Sequence, residues 1–70
     1  MAPDRAQELV VDGLEKIKDA ATFLRISVAS LYKMMDRGEL PFVKIGRSRR
    51  IPRRALVELA ASNLFDRRQD

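Results

Sequence analysis

Ile17, Ala20, Ala21 and Leu24 recur at the i, i+3, i+4, i+7 spacing that puts apolar side chains on one helix face. This predicts an amphipathic helix over roughly residues 16–24, with Asp19 in its first turn. Ser27 then stands where a second helix needs an N-cap, and Val28, Leu31 and Met35, with Met34 alongside, give that helix an inward stripe. Gly38 follows Arg37 as the residue expected just past the helix end, and Arg37 suits the negative helix terminus. Two short helices parted by so few residues make a helix-turn-helix.

Upstream, residues 3–11 read as a further short helix, with Pro3 in its first turn, Asp4 complementing its positive end, and Ala6, Leu9 and Val10 sharing a face before Gly13 ends it. Helices below ~12–15 residues are marginal alone, so this one must pack on the domain or on a partner. Beyond Pro41 the pattern turns from helical to alternating. Val43 and Ile45 point one way, toward the expected core, while Phe42 and Lys44 point the other. Phe42 on that outward face has two readings, packing on the last helix or an exposed anchor for a neighbour. Gly46 opens a turn, Arg47-Ser48-Arg49 forms its tip, and Arg50-Ile51 returns as the second strand. Pro52 fits the start of a last helix over residues 53–64, with Leu56, Leu59, Ala60 and Leu64 inward.

The predicted core is Ile17, Ala21, Leu24, Ile26, Leu31, Met34 or Met35, Leu40, Val43, Ile45, Ile51, Leu56 and Leu59. The predicted fold is mainly α with a small β-hairpin, in the order α-α-α-β-β-α of a winged helix-turn-helix. Residues 1–13 form a short N-terminal helix or arm, residues 14–65 the winged domain, and residues 66–70 a frayed tail.

Charge sharpens this picture. The 70 residues carry a net charge of +4, but residues 33–54 alone hold eight bases (Lys33, Arg37, Lys44, Arg47, Arg49, Arg50, Arg53, Arg54) against Asp36 and Glu39. The first 19 residues are net acidic. Arginine dominates the basic third, and its planar fork binds phosphate bidentately, so a polyanion is the favoured partner over a merely solvated face. With neither cysteine nor histidine, thiol chemistry, disulfides, the commonest metal ligand and the commonest general base are excluded. No enzyme activity, metal or cofactor is expected. No stretch approaches the ~18 apolar residues of a membrane span, and the start lacks the apolar run of a signal peptide, so a cytoplasmic location is expected.

The runs Ile17-Lys-Asp-Ala-Ala-Thr-Phe-Leu, Ile26-Ser, Leu31-Tyr32-Lys33, Arg37-Gly38-Glu39-Leu40-Pro41, Lys44-Ile45-Gly46-Arg47 and Arg50-Ile51-Pro52 resemble the excisionase family. These are small winged helix-turn-helix proteins related to the DNA-binding domain of MerR-type regulators. The resemblance covers about residues 14–61 and is most specific in RGELP…KIGR…RIP. It implies a non-enzymatic phage recombination directionality factor that binds and bends attachment-site DNA, directs the phage integrase toward excision, and assembles cooperatively with neighbouring copies on DNA. A small transcriptional regulator on the same scaffold is the alternative. The sequence departs from the family's usual pattern at Arg25 (where glycine is usual), at Arg49 (often aromatic), and at Lys16 (usually a hydroxyl cap).

On this reading the second helix enters the major groove, offering Ser27, Val28, Ala29, Ser30, Tyr32, Lys33 and Arg37. Ser27 also reads as a cap, Val28 as core, and Tyr32 as either a phosphate donor or a packing residue. The set has no Asn or Gln and its one Arg lies at the helix end, which predicts modest sequence specificity supplemented by DNA shape. Lys44, Arg47, Ser48, Arg49 and Arg50 make up the wing contacts, with arginine suited to a narrow minor groove. Arg25, Arg53 and Arg54 are candidate phosphate contacts. Arg53 and Arg54 oppose the dipole at the start of the last helix unless an anion sits there. A protein-interaction or membrane-surface module is a competing class, favoured by lipid binding without a preference for duplex DNA. RNA binding is disfavoured by the few aromatics.

Overall fold

The computed structural model describes residues 4–66, in the order α1 (Arg5–Val10), β1 (Leu14–Lys16), α2 (Ile17–Leu24), α3 (Val28–Asp36), β2 (Val43–Ile45), β3 (Ser48–Pro52) and α4 (Arg53–Ser62). Pro3 and most of the expected tail, residues 67–70, lie outside that range. The architecture is a winged helix-turn-helix: helices packed on a small antiparallel sheet, with a hairpin after the two central helices.

Asp4 is the N-cap of α1, its carboxylate accepting the Gln7 amide at 2.9 Å. Leu9 is buried and α1 lies along α4, where the Arg5 guanidinium spans to both Glu58 carboxylate oxygens at 2.6 and 3.2 Å. The N-terminal helix is therefore joined to the body of the domain. Gly13, at φ 96, then turns the chain into β1, and its carbonyl accepts the Arg53 amide at 2.9 Å. That bond satisfies an orphan N–H at the start of α4, where Pro52 offers no side-chain cap.

Strand β1 is an addition to the expected hairpin. The sheet order is β1-β3-β2, with Glu15 opposite Ile51 and Lys44 opposite Arg49, so β3 is its central strand. Three residues without alternation are invisible as a strand until their distant partner is in place.

The core gathers Leu9, Ala20, Ala21, Leu31, Met35, Leu40, Ile51, Ala55 and Leu56, with Ile17, Leu24, Ile26, Met34 and Leu59 packed against it. The parity of the hairpin differs from expectation. Ile51 is fully buried, and period-two alternation puts Arg49 on the same face, with Lys44 opposite it. Ile45 therefore falls on the other face and is 59% exposed, while Val43 is only half-buried. In α4 the stripe is carried by Ala55, Leu56 and Leu59. Ala60 is exposed and Leu64 lies beyond the helix end, also exposed.

Both central helices end in the Schellman pattern, a 6→1 bond enclosing a 5→2 bond around a left-handed residue. For α3 the Glu39 amide reaches the Met34 carbonyl and the Gly38 amide that of Met35, with Gly38 at φ 76. For α2 the left-handed residue is Arg25, at φ 55 and ψ 43, the one non-glycine residue with positive φ among those described.

Candidate nucleic-acid interface

Helix α3 is built to present its first turn. Ser27 is its N-cap, the hydroxyl accepting the Ser30 amide at 3.0 Å and donating to the Ser30 hydroxyl at 2.9 Å. Leu31 and Met35 anchor the back of the helix in the core. Ser27, Val28, Ala29, Ser30, Tyr32, Lys33 and Arg37 are all exposed, which moves Val28 out of the expected inward stripe. Among the described residues no side-chain hydrogen bond or ion pair engages Val28, Ala29 or Lys33.

The hairpin turns tightly, with Ile45 paired to Ser48 and only Gly46-Arg47 between. Gly46 at φ 61 followed by a residue without positive φ is the pattern of a type II′ turn, which needs glycine in its first position. Arg47 is therefore the tip, and Ser48, Arg49 and Arg50 belong to β3 rather than to the loop. Lys44 and Arg47 are exposed, and neither forms an ion pair among the described residues. Arg50 is half-buried and donates to the Arg49 carbonyl at 3.0 Å.

Arg49 departs furthest from expectation. Its guanidinium carbon lies 4.5 Å from the centre of the Phe42 ring and 5.2 Å from that of Tyr32, and Nη1 is 3.6 Å from an Asp36 carboxylate oxygen. That separation makes an ion pair but not a hydrogen bond. Expected at an exposed tip, the Arg49 side chain is only 29% exposed and joins the hairpin to α3. Phe42 correspondingly packs under Arg49 instead of projecting alone.

Arg53 and Arg54 find their anions within the chain. Glu15 meets Arg53 at 2.9 Å and Asp12 meets Arg54 at 3.1 Å, and Arg53 also lies over the Phe23 ring. Carboxylates from either side of the Gly13 turn thus offset the unfavourable placement of two cations at a helix start. Asp12, Glu15 and Asp36 were legible only as charge. Pairing them with particular arginines required the β1–β3 register and the return of the hairpin onto α3. Arg25 is exposed at the turn between α2 and α3.

Residues 16–64, from the end of β1 to just past α4, match the helix-turn-helix domain family. The chain belongs to that family. Two relatives from two strains of Mycobacterium tuberculosis, both named as candidate DNA-binding proteins, are each 32% identical over 50 residues, covering 71% of this chain. The match spans 64% of each relative's own length. No solved structure matches the chain at the same level of significance. Among the described residues no helix is long and apolar enough to cross a membrane.

Proposed function

We propose that this helix-turn-helix domain binds duplex DNA, with the first turn of α3 in the major groove and the Arg47 tip in the adjacent minor groove, as an architectural factor of excisionase type. In this role it bends attachment-site DNA, lies beside further copies of itself, and directs an integrase toward excision. The observation that carries the reading is the division of α3: Leu31 and Met35 hold its back in the core while Val28, Ala29, Ser30 and Lys33 are left exposed, next to a hairpin that ends in an arginine.

The roles divide by chemistry. Ala29 and Val28 offer apolar contact to a thymine methyl, Ser30 a hydroxyl to a base edge or phosphate, and Lys33 an ammonium to guanine or backbone. Arg37, Lys44, Arg47, Arg50 and Arg25 supply charge to phosphates, with Ser27 and Ser48 small enough for close approach and the Tyr32 hydroxyl able to donate. Arg53 and Arg54 would have to exchange carboxylates for phosphates and contribute less. The names of the mycobacterial relatives support DNA as the ligand. The excisionase assignment is supported by the motif resemblance over residues 14–61.

A footprint and bend assay on attachment-site DNA, followed by an excision reaction with the cognate integrase, tests this. The expected result is protection of repeated sites, a bend, and stimulated excision. Protection without stimulation would overturn the recombination role, and no protection would overturn DNA binding itself.

A further inference from the structure

We infer that Arg49 is a positioning residue that sets the angle between recognition helix and wing through the stacking of its plane, and does not bind phosphate; this rests on the DNA-binding reading above. Three observations carry it. The guanidinium lies over two rings, its carbon 5.2 Å from the centre of Tyr32 of α3 and 4.5 Å from that of Phe42 at the foot of β2. Its face of β3 is the one that holds fully buried Ile51, so the side chain points toward the helices and away from the hairpin's open side. Nη1 is buried without a hydrogen bond, 3.6 Å from Asp36.

Such a side chain is used for its flat shape as much as for its charge. Guanidinium planes stack on aromatic faces, which an ammonium on a flexible stem does not reproduce. Tyr32 stands on the exposed side of α3, one residue from Lys33, so whatever holds that ring fixes how the helix sits against the hairpin. A phosphate reaching Nη1 would have to displace a ring or Asp36. An aromatic side chain at this position would fill the same slot without any charge.

The test separates plane from charge with Arg49→Phe, Arg49→Lys and Arg49→Ala, titrated against one mixed-sequence duplex over a range of salt. Positioning predicts that Arg49→Phe binds within about threefold of wild type with an unchanged salt slope, whereas Arg49→Lys, which keeps the charge, loses roughly tenfold along with Arg49→Ala. Near-wild-type binding by Arg49→Lys, with weak binding and a salt slope shallower by about one in Arg49→Phe, would overturn the proposal in favour of a phosphate contact. Should Arg49→Ala fail to fold, the comparison of Phe with Lys still decides.

A second reading needs no DNA. Tyr32 is the one tyrosine and there is no tryptophan, so the tyrosine band in near-ultraviolet circular dichroism reports this ring alone. Positioning predicts a diminished band in Arg49→Lys, and an unaltered band would contradict it. Loss of that band in Arg49→Lys, in a chain whose wild type ignores duplex DNA, would uphold the clamp and reject the DNA reading. The reverse pattern would do the opposite.

Discussion

The Ile26 amide reaches back to the Ala21 carbonyl at 3.1 Å across Arg25, which is held in the left-handed conformation. That backbone region costs an L-residue with a β-carbon about 1 kcal/mol or more, and glycine almost nothing. Arg25→Gly is therefore expected to stabilise the fold by about 1 kcal/mol, raising the thermal midpoint by roughly 4–8 °C in a domain of this size. Calorimetry or a circular dichroism melt checks it. A lowered midpoint would mean that the Arg25 side chain contributes more than its backbone loses.

Arg5 and Glu58 tie α1 to α4 and make stability pH-dependent. The Glu58 carboxyl is held below its ordinary range mainly by the hydrogen bond from Arg5, with burial opposing and the charges of Arg5 and Arg54 assisting. The same pair raises Arg5 further above its usual value. A carboxylate with a depressed folded-state pKa contributes stability above its unfolded value, and that contribution disappears as pH falls through the folded one. Glu58→Gln should thus lower the melting temperature slightly at neutral pH and match wild type only in acid, once pH has fallen through the depressed folded-state value and the carboxyl is protonated. Melts at both pH values check this, and an equal deficit at low pH would refute it.

The two isoleucines of the hairpin should behave oppositely. Ile51 is fully buried at the centre of the sheet, and Ile51→Ala is expected to cost about 2–5 kcal/mol, enough to leave a domain this small largely unfolded. Ile45 is mostly exposed, and Ile45→Thr should change stability by less than about 0.5 kcal/mol. Denaturant titrations of both variants measure the difference. Similar losses would place Ile45 back in the core.

These two positions also mark where the sequence was legible and where it stopped. The helices of the motif could be placed because their signals are local: apolar spacing in α2, the Ser27 cap, the Gly38 terminus. The hairpin itself followed from alternation and Gly46. Which of its faces turns inward did not, because Val43-Lys44-Ile45 looks like a strand with an apolar face whichever side the helices cover. That choice is made at a distance, by β1 pairing with β3 and by the Arg49 guanidinium settling over Tyr32 and Phe42. Strand β1 has no local signal at all. On the candidate surface, the exposure of Ala29 and Ser30 follows from the helix period, whereas that of Val28, which shares the spacing of Leu31 and Met35, does not, and the ion pairs of Arg53 and Arg54 depend on the turn at Gly13.

Two cations should separate affinity from specificity. Arg47→Ala at the tip is expected to weaken binding to every duplex by a similar factor and to lower the salt slope by about one. Lys33→Ala should instead alter preference among sequences by about 1–3 kcal/mol if it reads a base edge. Competition titrations against a panel of duplexes distinguish the two. A uniform loss in Lys33→Ala would reassign it to the backbone.

The affinity of the intact chain for duplex DNA, followed as salt is raised, interrogates the whole account most directly. Arg25, Lys33, Arg37, Lys44, Arg47 and Arg50 make no ion pair among the described residues. If about six phosphates are neutralised, the logarithm of affinity should fall against the logarithm of salt with a slope near −5. A slope close to zero, or no duplex binding at low salt, would contradict it.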